Sequence, residues 1–149
     1  MTVAEKDLDP RVTTFGRLLE ACHGLEARLG TQLERTAGIP LGTFEVLLRL
    51  SRSTDGVLTM GELSRQLALT TGGITRMVDR LAEAGLVERR PSPRDRRVQY
   101  AAITRTGEKT LRGALAHHTE ALRTVFDGFS DKDLATFDRL LDRVRGAGV

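Results

Sequence analysis

The sequence predicts a mainly α-helical protein with one small β-hairpin. Apolar residues recur every three or four positions near both ends of the chain, which is the spacing of a helix face. Residues 86–103 instead form two short strand-like runs on either side of a proline-containing loop. Aromatic residues make up only 4% of the 149 residues, so aliphatic packing between helices must supply most of the core.

Two helices are predicted in the first third of the chain. Residues 1–10 are predicted to be a flexible tail, and a helix follows over residues 11–36. Gly38-Ile39-Pro40 ends it, because proline disfavours helical backbone in the residue before it. A second helix is predicted over residues 41–51. The first helix carries the apolar series Phe15, Leu18, Leu19, Cys22, Leu25, Leu29 and Leu33. The inner face of the second helix is predicted to comprise Phe44, Leu47 and Leu48.

A turn at residues 54–56 and a short strand at residues 57–58 are predicted to precede a third helix. Thr59 and Glu62 fit a capping box, in which the threonine hydroxyl accepts a backbone N–H and the glutamate reaches back to the cap. The third helix is expected to bury Met60, Leu63 and Leu67.

A fourth helix is predicted after a tight turn at residues 69–71. Ile74, Met77, Val78 and Leu81 follow the i, i+3, i+4, i+7 spacing of one apolar face, and Gly85 marks the C-terminal end. The opposite face is polar. Two helices joined by a short turn, the second with a polar outer face, are typical of a helix-turn-helix.

A β-hairpin, or wing, is predicted next. Residues 86–90 and 98–103 form its strands, and residues 91–95 form a loop because the prolines there cannot donate to a strand ladder. Thr104 is predicted to cap a fifth helix, and Ser130 with Asp133 to cap a sixth. The fifth helix carries the heptad-like series Leu111, Leu115, His118, Leu122, Val125 and Phe129, which suggests a partner helix. The sixth is expected to bury Leu134, Phe137, Leu140, Leu141 and Val144.

The predicted architecture is therefore a winged helix-turn-helix over residues 41–104. Helices at residues 11–36 and 105–146 flank it within a single domain, residues 11–149. Because both flanking helices are apolar on one face, we expect them to pack together and to form a homodimer.

The net positive charge of the chain lies in residues 71–105, which form the predicted fourth helix and the wing. Residues 71–105 contain eight arginines and four acids, a net charge of +4, whereas the whole chain has 23 basic and 20 acidic residues. The remainder therefore has 15 basic and 16 acidic residues. A localised basic patch is an electrostatic footprint for phosphates, and its alternative is a solvated charged surface. Five arginines within residues 89–97 favour the phosphate interpretation, since without an anion they repel one another.

Several classes of protein are not expected. No apolar run reaches the length of about 18 residues that a membrane span needs, and the N-terminus lacks the pattern of a signal peptide, so a cytoplasmic protein is expected. The single Cys22 excludes an internal disulfide. No phosphate-binding loop, nucleophile elbow or zinc-protease motif is present, so neither an enzyme nor a cofactor is predicted. His23, His117 and His118 lack metal-site spacing and are interpreted as ordinary histidines.

The order of motifs resembles the multiple antibiotic resistance regulator (MarR) family of winged-helix transcription factors. The resemblance spans about residues 11–146. It is carried by Leu63-Ser64-x-x-Leu67, by Ile74-Thr75-Arg76-x-Val78-Asp79-Arg80-Leu81 with Gly85-Leu86-Val87-x-Arg89, by Asp95-Arg96-Arg97 and by Ile103-Thr104-x-x-Gly107. It implies a homodimeric, sequence-specific repressor that binds a pseudo-palindromic double-stranded operator and is relieved by a small molecule.

The resemblance also implies roles for individual residues. Arg97 matches a wing-tip arginine that enters the minor groove, and Asp95 matches an acid that braces the wing, with Arg76 as its predicted partner. The alternative for Asp95 is a turn residue. Gly72 and Gly73 depart from the bulkier residues common in the family. The predicted DNA-binding residues are Thr71, Gly72, Gly73, Thr75, Arg76, Arg80, Arg89, Arg90, Arg94, Asp95, Arg96 and Arg97.

A pocket for a small aromatic or phenolic ligand is implied where the first, second and fifth helices meet the DNA-binding lobe. Its predicted lining is Phe15, Cys22, Phe44 and Leu48, and the alternative is that these residues are plain core. Cys22 lies near the position of a reactive cysteine in a peroxide-sensing branch, so a redox-responsive regulator is a further possibility. The alternative is a buried, inert thiol on the apolar face.

Two other functions remain open at the level of sequence. A non-specific or architectural DNA-binding protein would bind random DNA equally well, although such proteins usually carry a net charge above +3. A winged helix used only for protein contacts would show no salt-dependent DNA binding, and the basic wing argues against it.

Overall fold

The computed structural model describes residues 9–92, 94–95 and 97–147. Its contacts divide the chain into two compact units, residues 1–118 and residues 119–149, with the division inside the fifth helix. Described separately, the first unit contains the helix-turn-helix and wing, and the second contains the last helix. Among the described residues, no helix combines the length and apolar character needed to span a membrane.

The first two helices match their predicted positions closely. Helix α1 spans Pro10–Ala37, begins where the Asp9 side chain accepts from the Arg11 backbone N–H, and ends at Gly38 with a φ of 70°. Helix α2 spans Leu41–Arg52. Both ends of α1 follow local rules, because proline suits the first turn of a helix and glycine adopts a left-handed φ without strain.

The helix-turn-helix is formed by α3, Met60–Gln66, and α4, Thr71–Glu83. The predicted capping box of Thr59 and Glu62 is confirmed, and Thr70 caps α4 by accepting from Gly73 N–H. In the turn between the helices Ala68 has a φ of 51°, an uncommon conformation for a residue with a Cβ.

The wing belongs to a three-stranded antiparallel sheet. Strands β1 (Val57–Thr59), β2 (Val87–Pro91) and β3 (Gln99–Ile103) lie in the order β1-β3-β2. The prediction that Pro91 belongs to the loop is wrong, since Pro91 is the last residue of β2 and pairs with Gln99. A proline is tolerated there because β2 is an edge strand.

The core of the first unit is aliphatic, as predicted, and lies between α2, α3, α4 and the sheet. Fully buried side chains include Leu33, Phe44, Val46, Leu47, Leu50, Leu63, Ile74 and Val78. Leu48, predicted to face inward, is only half-buried. Val46 was not predicted as core.

A tight joint connects the wing to α5, which spans Arg105–Val125. The Thr104 hydroxyl accepts from Gly107 N–H at 3.0 Å, which confirms the predicted cap, and donates to Gly85 O at 2.7 Å. A Cβ on Gly107 would collide with the carbonyl oxygen of Leu86 and lie 3.0 Å from Ile103 Cγ1. Only glycine therefore lets the first turn of α5 pack this closely against the start of β2.

The predicted apolar series on α5 is wrong at its end, because Phe129 lies beyond the C-terminal end of the helix. Leu111 is buried and Leu115 is 40% exposed in the single chain, and the partner helix that the series suggests stays a prediction. The buried positions that sequence reasoning missed are Ala114 and Ala121. Alanine contributes little to a hydrophobic pattern, so these close-packed positions carried a weak signal.

The second unit contains the end of α5 and helix α6, Asp131–Gly146. The predicted cap of Ser130 and Asp133 is confirmed as a capping box. Phe126 contacts Phe129 edge to face, with ring centroids 5.4 Å apart. The prediction that α6 buries its apolar residues is wrong for the single chain. Leu134 is half-buried, and exposed are Phe137, Leu140, Leu141 and Val144.

Candidate nucleic-acid interface

Helix α4 presents a polar face to solvent and an apolar face to the core. Ile74, Val78 and Leu81 are buried. Of the predicted DNA-binding residues on this helix, Thr75 and Gly73 are half-buried, and exposed are Thr71, Gly72, Arg76 and Arg80. This division follows from the helical period, since residues three and four apart share a face.

Arg76 is oriented by its own helix. Its Nε donates to the Gly72 carbonyl oxygen at 3.3 Å, one turn earlier. The two Nη groups of the guanidinium then remain as donors for a partner outside the chain. No hydrogen bond or ion pair joins Arg76 to Asp95, so the predicted pairing of these two described residues is wrong.

The link between α4 and the wing is an ion pair that sequence reasoning missed. Arg89 Nη2 on β2 lies 2.9 Å from Asp79 Oδ1 on α4, and the side chains are 33% and 51% exposed. The signal in the sequence was an acid on the polar face of α4 and an arginine at the start of the wing. Their sequence separation gave no reason to pair them. Arg89 is thus engaged within the protein.

The turn at the wing tip is organised by Ser92 and Asp95. The buried Ser92 hydroxyl accepts from the backbone N–H groups of Arg94 and Asp95, at 3.2 and 3.3 Å. Asp95 Oδ1 in turn accepts from Arg97 N–H at 2.9 Å. Asp95 is therefore a turn residue, as the alternative interpretation held, and it fixes the backbone beside Arg97. Ser92 was not predicted to have a role.

The remaining arginines differ in their partners. Arg90 pairs with Glu88 on the same strand. Within the described part of the chain, Arg80, Arg94 and Arg97 are exposed and have no acidic partner. Arg96 lies outside the described residues. The outer face of α4 and the wing tip thus carry guanidinium groups whose charge the chain does not neutralise, which is a surface suited to phosphates.

The four residues predicted to line a ligand pocket differ in exposure, and the pocket stays a prediction. Phe44 is buried with its ring 4.6 Å from that of His118, and Leu48 is half-buried beside the core. Phe15 is 60% exposed on α1, and Cys22 is also exposed. The expectation that Cys22 lies on a buried apolar face is wrong.

The first unit also contains a cleft away from the predicted pocket residues. A cleft of about 410 Å³ lies between the end of α2, β3 and the start of α5, and none of the four predicted pocket residues lines it. Among the described residues, no group of three His, Cys, Asp or Glu side chains is arranged to hold a metal ion.

Comparison with known proteins decides the family. A family model described as the MarR family matches residues 37–98, which run from the end of α1 to the wing. The multiple antibiotic resistance protein MarR of Escherichia coli is 32% identical over 101 residues, which cover 68% of this chain and 69% of that protein. The chain belongs to the MarR family.

Further comparisons agree with this assignment. Sco3205, a MarR-family regulator of Streptomyces coelicolor solved in complex with DNA, is 28% identical with a TM-score of 0.82, covering 97% of this chain and 89% of that one. YsmB of Bacillus subtilis, an uncharacterised helix-turn-helix regulator, is 33% identical over 90 residues, or 60% of this chain. The match spans 62% of the length of YsmB. Proteins of the MarR family are transcription regulators rather than enzymes, and the DNA-bound Sco3205 shares the fold of this chain.

Proposed function

We propose that this MarR-family chain is a homodimer that binds a pseudo-palindromic operator sequence-specifically and represses transcription. The observation that carries the proposal is that α4 and the wing tip both expose arginines and are linked by an ion pair. The outer face of α4 carries Arg76 and Arg80, the wing tip carries Arg97, and Asp79–Arg89 joins helix to wing at 2.9 Å.

Sequence specificity is assigned to α4. An arginine that donates through both Nη groups to a guanine in the major groove contributes about 1–3 kcal/mol of discrimination against another base. The Gly72 carbonyl holds Arg76 Nε, which limits the freedom that the side chain loses on binding. Thr71 and Thr75 on the same helix are assigned as further donors and acceptors. Two copies of α4 in a dimer would meet half-sites about 34 Å apart.

Affinity is assigned to the wing and its arginines. We assign Arg97 to the minor groove, where a narrow groove has its most negative potential, and Arg94 and Arg96 to phosphates. Arg89 is assigned to bracing, because it already faces Asp79. Arg90 has Glu88 within reach and contributes to phosphate binding only after that pair opens.

Repression is supported by one relative's name. YetL of Bacillus subtilis, a transcriptional repressor, is 30% identical over 104 residues, and the match covers 62% of it. Relief by a small aromatic or phenolic ligand stays a prediction from the family resemblance. Of its predicted lining, Phe15 and Cys22 are exposed and Phe44 is buried in the single chain.

The test is a titration of the protein onto the intergenic DNA upstream of its own gene. Fluorescence anisotropy at two salt concentrations, with and without random competitor DNA, measures affinity and its ionic part. We expect binding that resists the competitor and weakens with salt, since each phosphate contact adds about −0.9 to the slope of log K against log salt. Replacing Arg97 by Ala is expected to weaken binding by about 1–3 kcal/mol.

Arg112→Ala is the matched control, because it removes the same charge from an exposed position on α5. Equal affinity of Arg97→Ala and Arg112→Ala for the DNA would refute the assignment of the wing tip. Equal binding to upstream and random DNA would instead indicate an architectural protein. Absence of salt-dependent binding would indicate a domain for protein contacts.

A further inference from the structure

Two adjacent glycines lie in the first turn of α4, and contacts within the protein account for the absence of a side chain at only one of them. Gly73 donates its N–H to the Thr70 hydroxyl at 3.1 Å. A Cβ on Gly73 would also lie 3.1 Å from that hydroxyl oxygen, closer than ordinary van der Waals contact. The absence of a side chain at Gly73 therefore serves the cap of the helix.

No contact within the described part of the protein requires the absence of a side chain at Gly72. It is exposed, its backbone is helical without a positive φ, and a Cβ placed on it would meet nothing within 4 Å. Alanine stabilises a helix relative to glycine because it restricts the unfolded chain, so glycine here is unfavourable to the isolated fold.

Open space alone does not distinguish Gly72, since Gly113 on α5 is also exposed with nothing within 4 Å. The difference is the neighbourhood. Gly72 lies on the polar face of α4, next to the exposed Thr71, and its carbonyl oxygen accepts from Arg76 Nε. The bare backbone and the oriented guanidinium thus form one continuous surface.

We propose that Gly72 is a specificity-determining residue for DNA binding. The missing side chain lets α4 approach double-stranded DNA closely enough for Arg76, held by the Gly72 carbonyl, to contact a guanine directly. Any side chain at position 72 would lie between helix and duplex and hold the guanidinium away from the base edge. The inference rests on the proposed function, because it requires α4 to enter the major groove.

The experiment uses a duplex that the parent protein enriches from a random-sequence pool. Kd for this duplex and for random DNA is measured by anisotropy for Gly72→Ala and Gly72→Leu, together with the thermal unfolding midpoint. Gly113→Ala and Gly113→Leu are the matched controls. Both alanine variants are expected to unfold at the parent's midpoint or roughly 1–4 °C higher, which excludes misfolding as the cause of any loss of binding.

On the enriched duplex, Gly72→Ala is expected to raise Kd about tenfold and Gly72→Leu to raise it further, a factor within the range of one base contact. On random DNA both are expected to bind within about twofold of the parent, since phosphate contacts supply that affinity. The Gly113 variants are expected to match the parent on both. Parent-like Kd of both Gly72 variants for the enriched duplex would overturn the inference, as would an equal loss on both kinds of DNA.

Arg76→Ala separates this inference from the proposed function. If the parent enriches no sequence, or if Arg76→Ala retains the parent's preference, the assignment of α4 as the reading helix is wrong. If Arg76→Ala loses the preference and the Gly72 variants keep it, only the role of Gly72 is wrong.

Discussion

His118 is half-buried, and its buried Nδ1 lacks a hydrogen-bond partner. Its Nδ1 is the only buried side-chain nitrogen or oxygen without a hydrogen bond in the described part of the chain. The ring packs on Phe44, with centroids 4.6 Å apart. Burial lowers the pKa of His118, because the charged imidazolium loses its hydration there.

This lowered pKa predicts an acid-sensitive stability. The unfolded histidine binds a proton near its usual pKa of about 6.5, whereas the folded one resists it, so stability is highest above that pH and falls as pH decreases toward the folded pKa. Urea unfolding at pH 7.5 and at pH 5.5 measures the loss. We expect His118→Leu to reduce this pH dependence and the exposed His117→Leu to retain it.

The pKa of Glu45 shifts in the opposite direction to that of His118, and its effect on stability occurs at a different pH. Burial raises the pKa of Glu45, so its protonation stabilises the folded state as the pH falls through that pKa. Because its usual pKa is about 4.3, this gain belongs mainly to more acidic solutions than the His118 window. If a His118→Leu variant kept the full pH dependence of the parent, the assignment of the stability loss between pH 7.5 and 5.5 to His118 would be contradicted.

The sequence predicted where single residues lie along the fold better than it predicted whether they are exposed. The placement of Arg97 at the wing tip followed from motif spacing. Cys22 and Phe15 are exposed although they lie on an apolar series, because a helix face is buried only where another element covers it. The partner of Asp95 was also mispredicted, since its side chain accepts from the backbone N–H of Arg97, two residues along the chain.

At the scale of elements, the Asp79–Arg89 ion pair links α4 to the wing. An ion pair this exposed contributes little to global stability, at most about 1 kcal/mol. Its contribution to DNA binding is expected to be larger, because the proposed function requires α4 and the wing to contact the DNA together.

Asp79→Asn tests this role through the sign of its effect. Removal of a negative charge beside DNA would by itself raise affinity, whereas loss of the brace lowers it. We expect Asp79→Asn to weaken operator binding several-fold, while the free energy of unfolding changes by less than about 1 kcal/mol. Anisotropy and urea unfolding measure the two quantities.

Glu83→Gln is the control, because it removes the same charge from an exposed position on α4. It is expected to bind as tightly as the parent or more tightly. If Asp79→Asn behaves like Glu83→Gln, the ion pair has no bracing role.

Helix starts were predictable because their determinants lie within three residues of sequence. Thr59 with Glu62 and Ser130 with Asp133 form capping boxes where the pattern placed them. Contacts between elements were not predictable in this way. The Asp79–Arg89 pair and the burial of Ala114 and Ala121 depend on the packing of whole elements against each other, which no local pattern encodes.

At the scale of the whole molecule, apolar side chains remain exposed on both terminal helices. On α1, Phe15 is 60% and Leu19 is 41% exposed; on α6, Leu140 is 44% and Val144 is 63% exposed. Monomeric proteins seldom expose large contiguous apolar patches. A second copy of the chain could cover these faces. It would then bury the apolar residues of α6, as the sequence predicted, although they are exposed in the single chain.

We therefore expect the protein to have twice the 16.4 kDa mass of one chain by light scattering at micromolar concentration. The double variant Phe15→Glu with Leu140→Glu is expected to be monomeric and to lose the operator affinity that two linked half-sites provide. Arg139→Glu, an exposed change on α6, serves as the control. A parent protein of 16.4 kDa mass under these conditions would contradict the homodimer.

The joint at Gly107 has a consequence for how this protein can change over generations. Every single-nucleotide change in a glycine codon that alters the amino acid introduces a Cβ, and at this position a Cβ collides with the Leu86 carbonyl. No conservative neighbour exists for Gly107 in the genetic code. The close contact between the first turn of α5 and Leu86 therefore accepts no substitution at position 107 while the backbone stays in place.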